Sequence, residues 1–302
     1  MSNHINAFLT YLQSEMRASA NTVAAYRNDL MQWANYATDG SPDNLHPHDV
    51  TYNDMRLWIA SLGRTGVSTR TLRRKVQSLR AFYRFLMKQG MIMVNPAMNL
   101  QLAKTPPQLP VYVRPAETEA LLDYEPDDDD FIGLRNKLIL LTFYSTGIRT
   151  TELETMLDVN VDNNRRELKV LGKRSKERII PYGDEMSEMI ERYRNVRDDL
   201  LCGVRPERFF VRPTGEPMYR SLIYKIVHES MSVCVNASRR SPHVLRHSFA
   251  TDMLNNGADI NAVQRLMGHA SLAATQIYTH VTLRELQNNY NRAHPRATKK
   301  GG

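Results

Sequence analysis

Pro106, Pro107, Pro110 and Pro115 crowd the stretch from Lys104 to Pro115, which otherwise shows little hydrophobic periodicity. Proline lacks a backbone N–H and holds φ near one value, so such a stretch enters neither a helix interior nor a sheet. It reads as an extended linker. A chain of 302 residues is also long for one compact core. The expected organisation is therefore a domain over residues 1–103, a linker over 104–115 and a second domain over 116–302.

The first hundred residues read as helices. Ile5, Phe8, Leu9, Leu12 and Met16 recur at helical spacing, as do Val23, Tyr26, Leu30 and Trp33, with Ser19 or Asn21 a fitting N-cap. A helix beginning after Thr51 carries Met55, Trp58, Ile59 and Leu62. The periodicity at the N-terminus marks an amphipathic helix rather than a leader, and no run of eighteen apolar residues exists to span a membrane. Two cysteines, Cys202 and Cys234, are too few for a disulfide framework, in keeping with a cytoplasmic protein.

Charge narrows the partner. The formal net charge is +8, and from Met55 to Ala116 there is no Asp or Glu at all. A solvated surface usually mixes its signs, so a carboxylate-free stretch of this length points to a polyanion. Within it, Leu72, Val76, Leu79, Tyr83 and Leu86 share one stripe of a helix. Arg70, Arg73, Arg74, Arg80, Arg84 and Lys88 gather on the opposite side, with Lys75 the one misfit. Such a helix is expected to lie along double-stranded DNA, its basic side on phosphates or in the major groove.

The second half opens on Asp127 to Asp130, which reads as a solvated loop rather than a metal site, since adjacent loop side chains rarely converge. An apolar helix through Leu138–Leu141 and Phe143 should end near Gly147. Glu167–Leu171 and Arg178–Pro181 flank a basic turn that starts at Gly172, which predicts a β-hairpin. The fold class is thus mainly α: a helical domain, then a mostly helical domain with a small antiparallel sheet.

Breaking DNA without hydrolysing it needs a cationic cage for the phosphate, an acid for the departing 5′ oxygen, and a nucleophile that stays attached. Arginine suits the cage, being permanently charged and forked to match two phosphate oxygens. His243-Val244-Leu245-Arg246-His247 puts His243 and Arg246 one helical turn apart. His243 and His247 at i, i+4 resemble a zinc pair only superficially, because no Glu follows the first histidine. Met267-Gly268-His269 follows, with Tyr278 nine residues on. Upstream stand Thr146-Gly147-Ile148-Arg149-Thr150-Thr151-Glu152-Leu153 and the hairpin lysines.

In this order and spacing the chain resembles the tyrosine recombinase (phage integrase) family, from Pro115 to the C-terminus. The resemblance implies that Arg149 and Arg246 grip the scissile phosphate and that Tyr278 is the nucleophile. It makes Lys173 the acid for the 5′ oxygen, with Lys176 a competing hairpin lysine. His243 would move a proton with Tyr278, His269 would bond a non-bridging oxygen, and Glu152 would orient one of these groups. Asn21 to Leu30, Ala81 to Leu86 with Asn95-Pro96-Ala97, and His294-Pro295-Arg296-Ala297 are similar to Xer-type members.

The implied reaction is strand exchange through a 3′-phosphotyrosyl intermediate and a Holliday junction, by a tetramer on its DNA site, with or without a second recombinase. Chromosome-dimer resolution and mobile-element integration or inversion are both open. The segment from Leu283 to Ala297 would dock into a neighbouring subunit. No cofactor or metal is expected, and no G-x-x-x-x-G-K-[ST] loop occurs for ATP. The alternatives are a type IB topoisomerase and a non-catalytic DNA-binding protein of the same fold.

Overall fold

The computed structural model describes residues 1–102, 112–172, 177–236, 239–268 and 280–297, with backbone alone for 280–285. Lys173, Lys176, His269, Tyr278 and most of the 104–115 linker lie outside the described residues. The chain forms two compact units, Met1–Gln108 and Leu109–Gly302.

The first unit holds α1 (Ser2–Ser14), α2 (Ala20–Ala37), α3 (Tyr52–Arg64) and α4 (Thr69–Lys88). Short polar side chains start three of them by accepting an otherwise unpaired backbone N–H. Ser19, not Asn21, accepts from Thr22 N, and Ser68 accepts from Thr71 N. Thr51 and Asp54 cap α3 reciprocally. The helices close on Phe8, Leu30, Trp33, Met55, Trp58 and Phe82, each 2% exposed or less.

The apolar stripe of α4 is buried as its spacing requires. Lys75 corrects the picture of a misplaced surface charge. It is 4% exposed, and its Nζ donates to Asp29 Oδ1 (3.0 Å) and Gln32 Oε1 (2.5 Å) over the Trp58 ring. Asp29 also accepts from Ser78 and pairs with Arg74. The basic side of α4 is therefore less uniform than its spacing implies. Arg80 is half-buried and donates to Ala97 O and Leu100 O, pinning the turn after Pro96. Lys88 is exposed but lies over the Tyr11 ring, whereas Arg70, Arg73 and Arg84 are exposed.

The second unit is built around α6 (Phe131–Thr146), which is mostly apolar and buried on nearly every side, Arg135 and Lys137 included, and so sits at the centre. Asp130 caps it by accepting from Gly133 N, and Asp128 pairs with Arg192 at 2.8 Å, so part of the four-aspartate run has structural work. Around α6 stand α5 (Pro115–Leu122), the short α7 (Thr150–Glu154), α8 (Asp184–Leu200), α9 (Arg220–Cys234), α10 (Pro242–Asn255), α11 (Ile260–Met267) and α12 (His280–Ala293). The antiparallel sheet runs β1 (Val161–Asp162), β2 (Glu167–Leu171), β3 (Glu177–Pro181), in that order. The hairpin strands match the sequence pattern, while the two-residue β1 is too short to leave one. No helix among the described residues is long and apolar enough to cross a membrane.

The described part of the C-terminal segment packs on its own unit, with Leu286, Tyr290, Ala293 and Ala297 in the core. Leu286 and Tyr290 lie one turn apart, and nothing in that spacing says whose core they enter. His294 locks the end: it stacks on Tyr290, its Nε2 donates to Tyr144 O, and its Nδ1 accepts from Arg296 N. Arg296 in turn pairs with Glu185 and Asp123.

Burial, with the Arg296 charge adding to it, pushes the His294 imidazole down to about 4 despite the opposing Tyr144 carbonyl. Its folded pKa lies below the unfolded value of about 6.5. The neutral ring therefore contributes stability that is complete above about pH 6.5 and lost as pH falls toward 4. The full effect is about 3 kcal/mol. Thermal unfolding from pH 7 to 4.5 should show a steeper loss for the parent than for His294→Gln, and equal slopes would refute the assignment.

Candidate active site

Three helix ends and one strand meet at this site. The α6 helix stops because Gly147 takes a left-handed conformation, φ +58°, as its C-cap. A Cβ at Gly147 would run into the Phe249 ring. The chain then turns extended at Arg149 and re-enters a helix at Thr150, so Glu152 falls where its carboxylate reaches back to the Arg149 N–H at 2.8 Å. The T-G-x-R-x-x-E-L spacing is thus a helix stop, a reversal and a helix start.

Arg246 lies on the inner side of α10, 7% exposed, and donates to Gly147 O and to Met267 O, the latter at 2.5 Å. Arg149 Nη2 donates to Gly268 O at 2.8 Å and Nη1 to Glu152 Oε1 at 2.9 Å. The carbonyls that hold these two guanidiniums end α6 and α11, where the helix dipole is negative. Gly268 also caps its helix left-handedly, φ +64°. A Cβ there would come within 3.1 Å of Arg178 Nη1 and 3.3 Å of Arg149 Nη1, so the backbone beside His269 lies directly on the arginines.

Arg178 joins the site without having been expected there from the sequence. It sits on β3, 4% exposed, with both nitrogens of its fork on Glu152 (2.6 and 2.8 Å) and Nε on Leu266 O at 2.8 Å. Its signal in the sequence is positional. In the register Val170↔Arg178 and Leu168↔Ile180, Arg178 occupies an inward-facing place among apolar residues.

Two guanidiniums, those of Arg149 and Arg178, thus share one carboxylate, with the Arg246 charge nearby. Burial alone would push the Glu152 carboxyl up. The Arg178 hydrogen bonds and charge, joined by the Arg149 N–H and charge, outweigh it and hold the group below the usual carboxylate range. Burial, then the charges of Arg149 and Arg178, depress Arg246 to about 9 against the opposing pull of Glu152. It remains charged at neutral pH, at a free-energy penalty that an incoming anion would relieve.

Arg149 keeps a third of its side chain exposed, so the cluster is open to a ligand on that side. His243 is exposed on the first turn of α10, one turn before Arg246. The structure therefore brings Arg149, Glu152 and Arg246 together and places His243 on the same helix as Arg246. Lys173, His269 and Tyr278 lie outside the described residues. Among those described, no cluster of His, Cys, Asp or Glu is arranged to hold a metal.

The phage integrase family model matches residues 112–285, and that for the phage integrase N-terminal SAM-like domain matches residues 5–90. Tyrosine recombinase XerC of Listeria welshimeri is 36% identical over 292 residues, covering 96% of this chain and 97% of that protein. Tyrosine recombinase XerC of Oceanobacillus iheyensis is 38% identical over 301 residues, covering 97% and 96%. The fold is shared with the Tn1549 transposon integrase in complex with transposon right-end DNA. That match has a TM-score of 0.70 and 22% identity, and covers 93% of this chain and 97% of that one. It is shared too with the XerH recombinase bound to palindromic difH substrate, at TM-score 0.69 and 21% identity, covering 91% and 80%.

Proposed function

The chain belongs to the phage integrase family of tyrosine recombinases, and on that premise we propose that it is a site-specific recombinase. It cleaves and rejoins DNA through a 3′-phosphotyrosyl intermediate and a Holliday junction. The observation that carries this reading is the convergence of Arg149 and Arg246 beside Gly268, the residue before His269.

In this reading Arg149 and Arg246 bind the non-bridging oxygens of the scissile phosphate, exchanging helix-end carbonyls for a full negative charge. His269 adds a hydrogen bond to the same phosphate. Tyr278 attacks phosphorus, its proton passing with the help of His243, and the 5′ oxygen leaves with a proton from Lys173. The bond to Tyr278 conserves the energy of the broken phosphodiester, so neither ATP nor metal is required. Names of the relatives favour strand exchange over topoisomerase-like relaxation.

The protein acts as a tetramer on its DNA site, in the cytoplasm, alone or with a second recombinase. The α12 segment then exchanges its own unit for a neighbour's, which delays cleavage until the assembly forms. Duplexes selected from a random library by binding, and nicked to trap the product, test the chemistry. The parent should give an SDS-stable protein–DNA adduct that Tyr278→Phe lacks. An adduct persisting in Tyr278→Phe would overturn the assignment.

The basic side of α4 supplies affinity in this reading. Its internal contacts rank the six candidates: Arg70, Arg73 and Arg84 are exposed, Lys88 is exposed over the Tyr11 ring, and Arg74, though exposed, holds the fold together with Arg80. Removing one arginine–phosphate pair should flatten the dependence of log K on log salt by about 0.9. Arg73→Ala with Arg84→Ala should therefore lower the slope by about one to two units. An unchanged slope would mean that this side faces water.

A further inference from the structure

We propose that Arg178 is a positioning residue for strand cleavage, acting through Glu152 to keep the charge of Arg149 available to the scissile phosphate. The inference rests on the reading of Arg149 as a phosphate ligand. Glu152 is 5% exposed and lies between two guanidiniums, with Oε1 accepting from both Arg149 Nη1 and Arg178 Nη1. Oε2 accepts from the Arg149 backbone N–H and Arg178 Nη2. A buried carboxylate with one cationic partner forms a tight pair and neutralises it. If Arg149 were that sole partner, its charge would be spent on Glu152 and drawn away from any phosphate.

Arg178 removes the conflict. Its fork takes both carboxylate oxygens, and its Nε is fixed by the last turn of α11 through Leu266 O. The negative charge of Glu152 is matched before DNA arrives, so Arg149 retains a net positive charge while still being oriented by the carboxylate. Arg178 also lies on β3, just after the Lys173–Lys176 stretch in the chain. It therefore ties β3 to the start of α7 and the end of α11.

The test is single-turnover cleavage of nicked duplex at saturating protein, well below the melting temperature, with Kd for the duplex measured alongside. Arg178→Met should cleave about 100-fold more slowly, the scale of loss that misplacing a reactive group produces, with Kd little changed. Arg178→Lys keeps the charge but not the fork and should fall between the two. The diagnostic variant is Arg178→Met combined with Glu152→Gln. Removing the excess carboxylate frees Arg149, so the double variant should cleave at least about tenfold faster than Arg178→Met.

A merely structural role would not make a second lesion accelerate the chemistry of folded protein. Parent-like cleavage by Arg178→Met, or a folded double variant no faster than Arg178→Met, would overturn the proposal. If Arg178→Met does not fold, Glu152→Gln and the double variant decide it. Similar rates support action through Glu152, and a further large loss in the double variant refutes it. Failure of the parent itself to form an adduct would count against the recombinase reading and not against Arg178.

Discussion

DNA in which sulfur replaces the bridging 5′ oxygen of the scissile phosphate should separate the roles of Lys173 and Tyr278. A free tyrosine has a pKa of about 10, so near pH 7 about one in a thousand is phenolate, a deficit of about 4 kcal/mol. Attack needs that proton removed and a cationic cage around the phosphate. Departure of the 5′ alkoxide needs a proton supplied. Sulfur removes the second need, because a thiolate leaves at a pKa of about 8.5 without an acid.

Lys173→Ala is therefore expected to fail on ordinary DNA, by a factor of about 10² to 10⁴, and to recover cleavage on the sulfur substrate. Tyr278→Phe is expected to remain inactive on both, since nothing replaces its oxygen. Neither reaction should require Mg²⁺ or ATP. Rescue of Lys176→Ala instead would transfer the acid's role to the other hairpin lysine. Arg178→Met should gain nothing from sulfur, because its role concerns the non-bridging oxygens that Arg149 binds and not the leaving oxygen.

A second large effect is expected in the first unit. Asp29 is 1% exposed and holds Lys75, Arg74 and Ser78 against α2. Asp29→Ala leaves the Lys75 ammonium buried without its charge partner, which should destabilise the first unit by about 3–5 kcal/mol. In a unit of this size each kcal/mol lowers the melting temperature by about 4–8 °C. Combining Asp29→Ala with Lys75→Met replaces an orphaned ion by an apolar chain beside Trp58 and should restore most of the stability. Calorimetry of the two variants checks both steps. Additive destabilisation would show that the pair is not the source of the effect.

Much of the candidate site is written in local spacing. Gly147 ends a helix, Arg149 and Glu152 are one capping turn apart, and His243 and Arg246 share one helix side. Each depends on neighbours within about one helical turn, so the sequence alone determines it. The same holds for the β-hairpin, for the four helices of the first unit and for the apolar α6. Arg178 escapes a reading of the sequence because its significance depends on strand register: a basic residue in a hairpin reads as surface until the pairing with Val170 turns it inward.

Other questions were settled only by contacts between segments distant in the chain. Lys75 and Arg70 look alike in sequence, but one is buried because Asp29, 46 residues earlier, meets it across the helix pair. Arg80 likewise serves the turn after Pro96 rather than solvent. That Leu286 and Tyr290 can fill the core of their own unit is likewise a matter of tertiary contact, since an amphipathic helix specifies an apolar partner and not which copy of the chain provides it. Local hydrogen bonding and helical period depend on residues near in sequence, so they are legible there. Desolvation and charge pairing are decided by whatever the fold brings close, and only the tertiary structure supplies that.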